Sequence, residues 1–172
     1  GAADADITVA ITPTGTATEG TDYATISDIT ISAGDTTGTA SFTPTDDTTY
    51  EGNETGIIAI TGVSGGNAYE SGTQSQTITI TENDSAPTVT LTRSAASIAE
   101  NSTGTVTLTA TLSIKTTAAV TVTLGSSGGT EGTDYVNLST ITVSAGSTTG
   151  TTTFDPTDDS VYEDDEAITI TI

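Results

Sequence analysis

The chain has 172 residues with no Cys, His, Met or Trp, and it sets 23 acidic residues against 2 basic ones, a formal charge of −21. This excludes a disulfide framework, thiolate chemistry and an imidazole base. It also excludes nucleic acid as a partner, because phosphate contacts need Lys and Arg and only Arg93 and Lys115 are present. No apolar run reaches the roughly 18 residues of a membrane helix, so membrane insertion is not expected.

From Ile7 onward, Thr alternates with Val, Ile or Leu, as in Ile7-Thr8-Val9-Ala10-Ile11, Ile78-Thr79-Ile80, Val89-Thr90-Leu91, Val106-Thr107-Leu108, Val120-Thr121-Val122-Thr123-Leu124 and Ile168-Thr169-Ile170-Thr171-Ile172. Period-two alternation marks strands with one buried face, and β-branched Thr suits the solvated one. No segment has a helical period, so the fold class is all-β. Ser32-Ala33-Gly34-Asp35 and Ser144-Ala145-Gly146-Ser147 read as short hairpin turns, and Ser64-Gly65-Gly66-Asn67 as a longer loop before the strand around Ile78. Short strands with regular turns, at roughly a hundred residues per unit, predict immunoglobulin-like antiparallel β-sandwiches.

An offset of 112 residues carries Glu19-Gly20-Thr21-Asp22-Tyr23 onto Glu131-Gly132-Thr133-Asp134-Tyr135, and Asp46 onto Asp158. Residues 18–60 align without a gap on 130–172 with 26 identities in 43 positions, which predicts two modules in tandem. The border is placed at Thr81–Pro87, giving units 1–85 and 86–172. Thr88 to Leu112 has no counterpart before Ile7, and residues 61–84 have none after Ile172. Each unit is therefore expected to be incomplete at one end, the first lacking its opening strands and the second its closing ones. Either the chain is a slice of a longer array, or neighbouring identical chains supply strands by exchange in a filament.

Two acidic loops stand out: Asp46-Asp47-Thr48-Thr49-Tyr50-Glu51-Gly52-Asn53-Glu54, and Asp158-Asp159-Ser160-Val161-Tyr162-Glu163-Asp164-Asp165-Glu166. Two carboxylates 4 Å apart repel by about 1 kcal/mol in water and by several times more when partly buried. Four acids in nine positions, with Asp22 folded nearby, call for a counter-charge. With no His or Cys the available ligands are hard oxygens, which suit calcium, an ion that accepts six to eight of them in irregular loops. The loops do not follow the EF-hand pattern. The alternative is a solvated acidic surface; the recurrence of the same acids at a fixed offset, while Thr49 becomes Val161 and Thr55 becomes Ala167, favours calcium. Paired carboxylates also serve glycosidases, but the lack of His, Trp and an aromatic-lined cleft points away from an enzyme.

Glu-Gly-Thr-Asp-Tyr, an Ala-Gly turn, then Phe-x-Pro-x-Asp-Asp-x-x-Tyr-Glu-x-x-Glu resembles the Calx-beta family. Ser97-Ile98-Ala99-Glu100-Asn101 is similar to its opening strand and Ile78–Asp84 to its closing one. The resemblance covers nearly the whole chain and implies a seven-stranded sandwich that binds calcium at one tip. By position it implies ligands Asp22, Asp46, Asp47, Glu51, Glu54 and Asp84 with the Thr49 carbonyl in the first unit. In the second it implies Glu100, Asp134, Asp158, Asp159, Glu163 and Glu166 with the Val161 carbonyl. The first unit has no opening-strand Glu, the second no closing acidic cluster, and Glu82-Asn83 replaces an Asp run, so one or two ions per unit are expected.

The expected function is a calcium-binding structural repeat of an extracellular fibre, adhesin or surface layer, with ions stiffening module tips and the border at Ser85–Pro87. Its partners would be neighbouring modules or identical chains. The alternative is a calcium-sensing module that switches a partner domain.

Overall fold

The structure, a computed structural model, describes residues 2–172, and every regular element among them is a β-strand. In chain order these are β1 (Ile7–Gly15), β2 (Ile29–Ile31), β3 (Thr49–Tyr50), β4 (Glu54–Ser64), β5 (Ser75–Ile80), β6 (Val89–Arg93), β7 (Val106–Leu112), β8 (Lys115–Thr116), β9 (Val120–Val122), β10 (Gly125–Ser127), β11 (Ile141–Val143), β12 (Thr149–Phe154) and β13 (Thr169–Thr171). The chain divides into two compact units at Asn83/Asp84, with the short segment Thr48–Glu51 grouped with the second.

The first unit is built on one antiparallel sheet of order β2-β1-β4-β5. Alternation fixes its register: Ile7 lies opposite Ile31 and Val9 opposite Ile29, so the apolar side chains of both strands share a face. A bulge between Ala10 and Ile11 shifts the pairing of β1 with β4. Strand β4 runs on to Ser64, the first residue of the expected loop, because β1 pairs it as far as Thr8.

The second unit has two layers. One is the sheet β12-β7-β6; the other contains the pairs β11-β9 and β10-β13. Strand β7 alternates buried Val106, Leu108, Ala110 and Leu112 with Thr, and it packs on Val122, Tyr135, Ile141, Val143 and Phe154 to form the core. The fold class is thus the expected all-β one, with antiparallel strands packed as a β-sandwich. Both expected hairpins are corrected: Ser32–Asp35 forms a turn, with Asp35 N donating to Ser32 O at 2.9 Å, but no strand follows it before Thr49. Ser144–Ser147 does form a tight turn, with Ser147 N donating to Ser144 O at 3.0 Å, but it does not close a hairpin. The strands it joins pair with different partners, β11 with β9 and β12 with β7. Ile141, Val143 and Phe154 all belong to the core, and passing from one layer to the other lets them enclose it from both sides.

Candidate metal centre

Each Glu-Gly-Thr-Asp-Tyr sequence folds into the same turn. Asp22 N donates to Thr18 O and Thr18 N donates back to Asp22 Oδ2 at 2.6 Å; Asp134 and Thr130 repeat the arrangement. Gly20 and Gly132 sit at φ of +84° and +86°, which a β-carbon would strain. The backbone then docks on the segment that contains Pro44 or Pro156, with Thr45 N donating to Asp22 O and Thr157 N to Asp134 O. Below the turn, Tyr23 stacks on Phe42 at 4.5 Å and Tyr135 on Phe154 at 5.1 Å. Burial raises the Tyr23 pKa, and the charges of Glu19 and Asp22 add to the shift. These contacts bring the first acid of each set to the base of the acidic loop.

Glu19 and Glu131 do not belong with the candidate ligands, because each accepts a backbone N–H (Ile26 at 2.8 Å, Leu138 at 2.7 Å) and serves the turn itself. Asp22 is different. It is only 8% exposed, and one of its carboxylate oxygens lies within 4.8 Å of one from Glu51 and one from Glu54. Among the described residues this is the group in which three carboxylates converge so closely. Oxygens bound to one calcium at 2.3–2.6 Å can be no more than about 5 Å apart, so the trio fits a shared ion. Its donors are all hard oxygens, and they are held half-buried or deeper.

The corner that presents Glu51 and Glu54 is pinned by residues the sequence reading did not single out as structural. Gly52 turns at φ +79° and donates its N–H to Glu82 Oε2 at 2.8 Å; Glu82 N donates to Asn53 Oδ1 at 2.8 Å. A Gly-Asn pair between two acids was the available signal. Asp46 stands outside the trio and accepts from Asn83 Nδ2 at 2.8 Å, while Asp47, Thr49 and Asp84 are also outside it.

In the second unit, Glu100, Asp134, Glu163 and Glu166 line a cleft of about 570 Å³ together with Arg93 and Phe154. Asp159 N donates to Glu100 Oε1 at 3.2 Å, and Val161 N to Asp159 Oδ1 at 2.6 Å, which ties the loop to the opening segment. Asp158 and Asp159 are exposed, as is Val161 at 61%. The Glu163 carboxyl is held above its ordinary value by desolvation and by the charges of Asp134, Asp159, Glu100 and Glu166. Because its side chain is exposed, the four like charges are the weightier cause, and they are what a cation would neutralise.

A family model described as the LapA domain matches residues 84–172, more than half of the sequence. The chain belongs to the LapA domain family. The Calx-beta domain model matches residues 1–84, so the LapA part follows a Calx-beta part instead of a second Calx-beta match. No curated protein matches the chain. The Calx-beta match marks a calcium-related module, and LapA membership marks a surface adhesin. No helix among the described residues is long and apolar enough to cross a membrane.

Proposed function

We propose that this chain is a calcium-binding structural segment of an extracellular surface adhesin, in which ions lock the acidic loops at the module tips. The observation that carries the reading is the convergence of Asp22, Glu51 and Glu54 within 4.8 Å. Like charges at that spacing repel, and a cation bound among them would offset that repulsion in a chain whose formal charge is already −21. Calcium supplies the charge and takes the remaining oxygens from water or loop carbonyls. In the second unit Glu100, Asp134, Glu163 and Glu166 would gather around a second ion, with Asp158, Asp159 and the Val161 carbonyl in reach of a reordered loop. The role is mechanical, not enzymatic: loops that repel one another become fixed corners, and neighbouring modules are the partners.

Thermal unfolding with excess calcium and with chelator tests this. Binding to the native state alone, at a hundred times the dissociation constant, adds about 2.7 kcal/mol per site. Identical melting in both conditions would reduce the loops to a solvated surface and the chain to a spacer.

A further inference from the structure

Four asparagines of the chain begin an Asn-x-Ser/Thr triplet: Asn53-Glu54-Thr55, Asn83-Asp84-Ser85, Asn101-Ser102-Thr103 and Asn137-Leu138-Ser139. Such a triplet accepts an N-linked sugar where its amide is accessible on a surface loop. The structure separates the four. Asn53 Oδ1 accepts the Glu82 N–H at 2.8 Å, and Asn83 Nδ2, the atom a sugar would occupy, donates to Asp46 Oδ1 at 2.8 Å. Both amides are therefore fixed by the corner that carries the first acidic loop. Among the described residues, Asn101 and Asn137 are exposed and their side chains make no hydrogen bond.

The 112-residue offset places Thr25 at the position of Asn137 and Ser27 at that of Ser139. The strands around the two positions differ, since the first unit has no counterpart of residues 88–112 and the second none of 61–84. All four residues are nevertheless exposed. Exposure is thus a property of the turn itself, whichever strands accompany it. Val136 N donates to Asp155 O at 2.9 Å and Leu138 N to Glu131 Oε1 at 2.7 Å, so the backbone is held on both sides while Asn137 stays outside. Glu19 holds Ile26 in the same way in the first unit, at 2.8 Å. Asn101 precedes β7 in a segment that the first unit does not contain, so only the Asn137 position is exposed in both settings. Its neighbour Val136 is a large apolar side chain left 54% exposed, where the first unit has Ala24. A sugar on Asn137 would take part of that apolar surface out of water.

We propose that Asn137 is an N-glycosylation site, at which a glycosyltransferase attaches a hexose from a phosphate-activated donor. A bond forms between the Asn137 amide nitrogen and the anomeric carbon of the sugar. The bond from that carbon to the phosphate oxygen breaks, and the amide proton leaves with the phosphate. The Ser139 hydroxyl, two residues on and exposed, completes the triplet that such enzymes select. The site is independent of the calcium reading, because Asn137 is not among the candidate ligands.

The full chain carrying Asn101→Gln, incubated with a soluble asparagine glycosyltransferase and a nucleotide-activated hexose, tests the assignment by peptide mass spectrometry. One hexose at Asn137 is expected, with Asn53 and Asn83 bare. Adding Asn137→Gln in the same background should abolish the modification. Short synthetic peptides spanning Asn53 and Asn83 should accept the sugar, which identifies the fold as what withholds them. A bare Asn137 in the folded chain, or addition at Asn53 or Asn83 ahead of it, would overturn the proposal. Peptides that stay bare would overturn the structural separation of the four triplets.

Discussion

Replacing Asp22 by Asn separates a ligand from a turn residue, because the two roles predict opposite signs. The asparagine can still accept the Thr18 N–H through its side-chain oxygen, so the turn bond seen at 2.6 Å is kept. What is lost is a charge within 4.8 Å of two others. Two unit charges at that separation repel by about 0.9 kcal/mol in bulk water and about 3.5 kcal/mol at an effective dielectric of 20. Relieving two such interactions should stabilise the metal-free protein, by up to about 1.5 kcal/mol with water-like screening. For a domain of this size that is a rise in melting temperature of roughly 5–10 °C. In saturating calcium the sign reverses. Losing an anionic oxygen from the ion should shrink the calcium-induced gain by at least the 1.4 kcal/mol of a tenfold weaker site. Calorimetry of wild-type and Asp22→Asn protein, each in chelator and in calcium, provides the four melting temperatures needed. If the substitution lowers stability equally in both conditions, Asp22 is a turn residue and the trio is not a metal centre.

Acidification should stabilise the metal-free second unit. A Glu163 carboxyl raised above its ordinary 4.5 favours the protonated folded state, so its stabilisation is full below that value and is lost as pH rises through the folded pKa. Melting in chelator is expected to rise between pH 7 and pH 4.5, whereas in calcium it should fall, since protons compete with the ion. Ile141→Ala should cost about 2–5 kcal/mol, as expected for a fully buried side chain, and Ile29→Ala less than half as much, both read by native-state hydrogen exchange in each unit. Tyr135→Phe removes the hydrogen bond from Tyr135 Oη to Ser126 Oγ at 2.9 Å and should cost about 1 kcal/mol, with the near-ultraviolet dichroism of the Phe154 stack retained.

Strands whose apolar face finds a partner within the chain were legible from alternation alone, as in β1, β6 and β7. The limit of that reading is Thr-Gly-Thr-x-x-Phe, which is strand β12 in one copy and unpaired in the other. Local sequence is common to both, and pairing is decided by whether β7 lies alongside. Turn chemistry located Ser144–Ser147 correctly but could not say that the following strand enters the other layer, since that depends on which side of the core Phe154 fills. Among the acids, Asp22, Glu51 and Glu54 were legible as candidates because they recur at a fixed offset. Glu19 and Glu131 recur just as faithfully, yet each is spent on a backbone N–H, so repetition alone does not separate a ligand from a structural carboxylate.

The two units also show why acids repeated at one spacing converge in one copy and stay apart in the other. Glu54 begins β4, and β4 is held on its other side by β5, with Glu54 opposite Ile80. Two residues beyond the end of β5, Glu82 fastens the Gly52-Asn53 corner next to Glu51, whose carboxylate lies near that of Asp22. In the second copy Asp164 stands where the first has Gly52 and does not take the left-handed conformation, and regular pairing begins only at Thr169, with β10 alone. Glu163 and Glu166 remain exposed, and repulsion raises the Glu163 pKa. Closing the loop through a left-handed corner would cost a charged L-residue more than it costs Gly52, and the repulsion of four nearby acids would add to that cost. A cation would offset both penalties together. Calcium should therefore order the second loop from a more open state while tightening a first loop that is already closed. The larger calcium-dependent gain in hydrogen-exchange protection is expected at residues 158–168, and equal gains in the two loops would argue against β5 and Gly52 as the source of the difference.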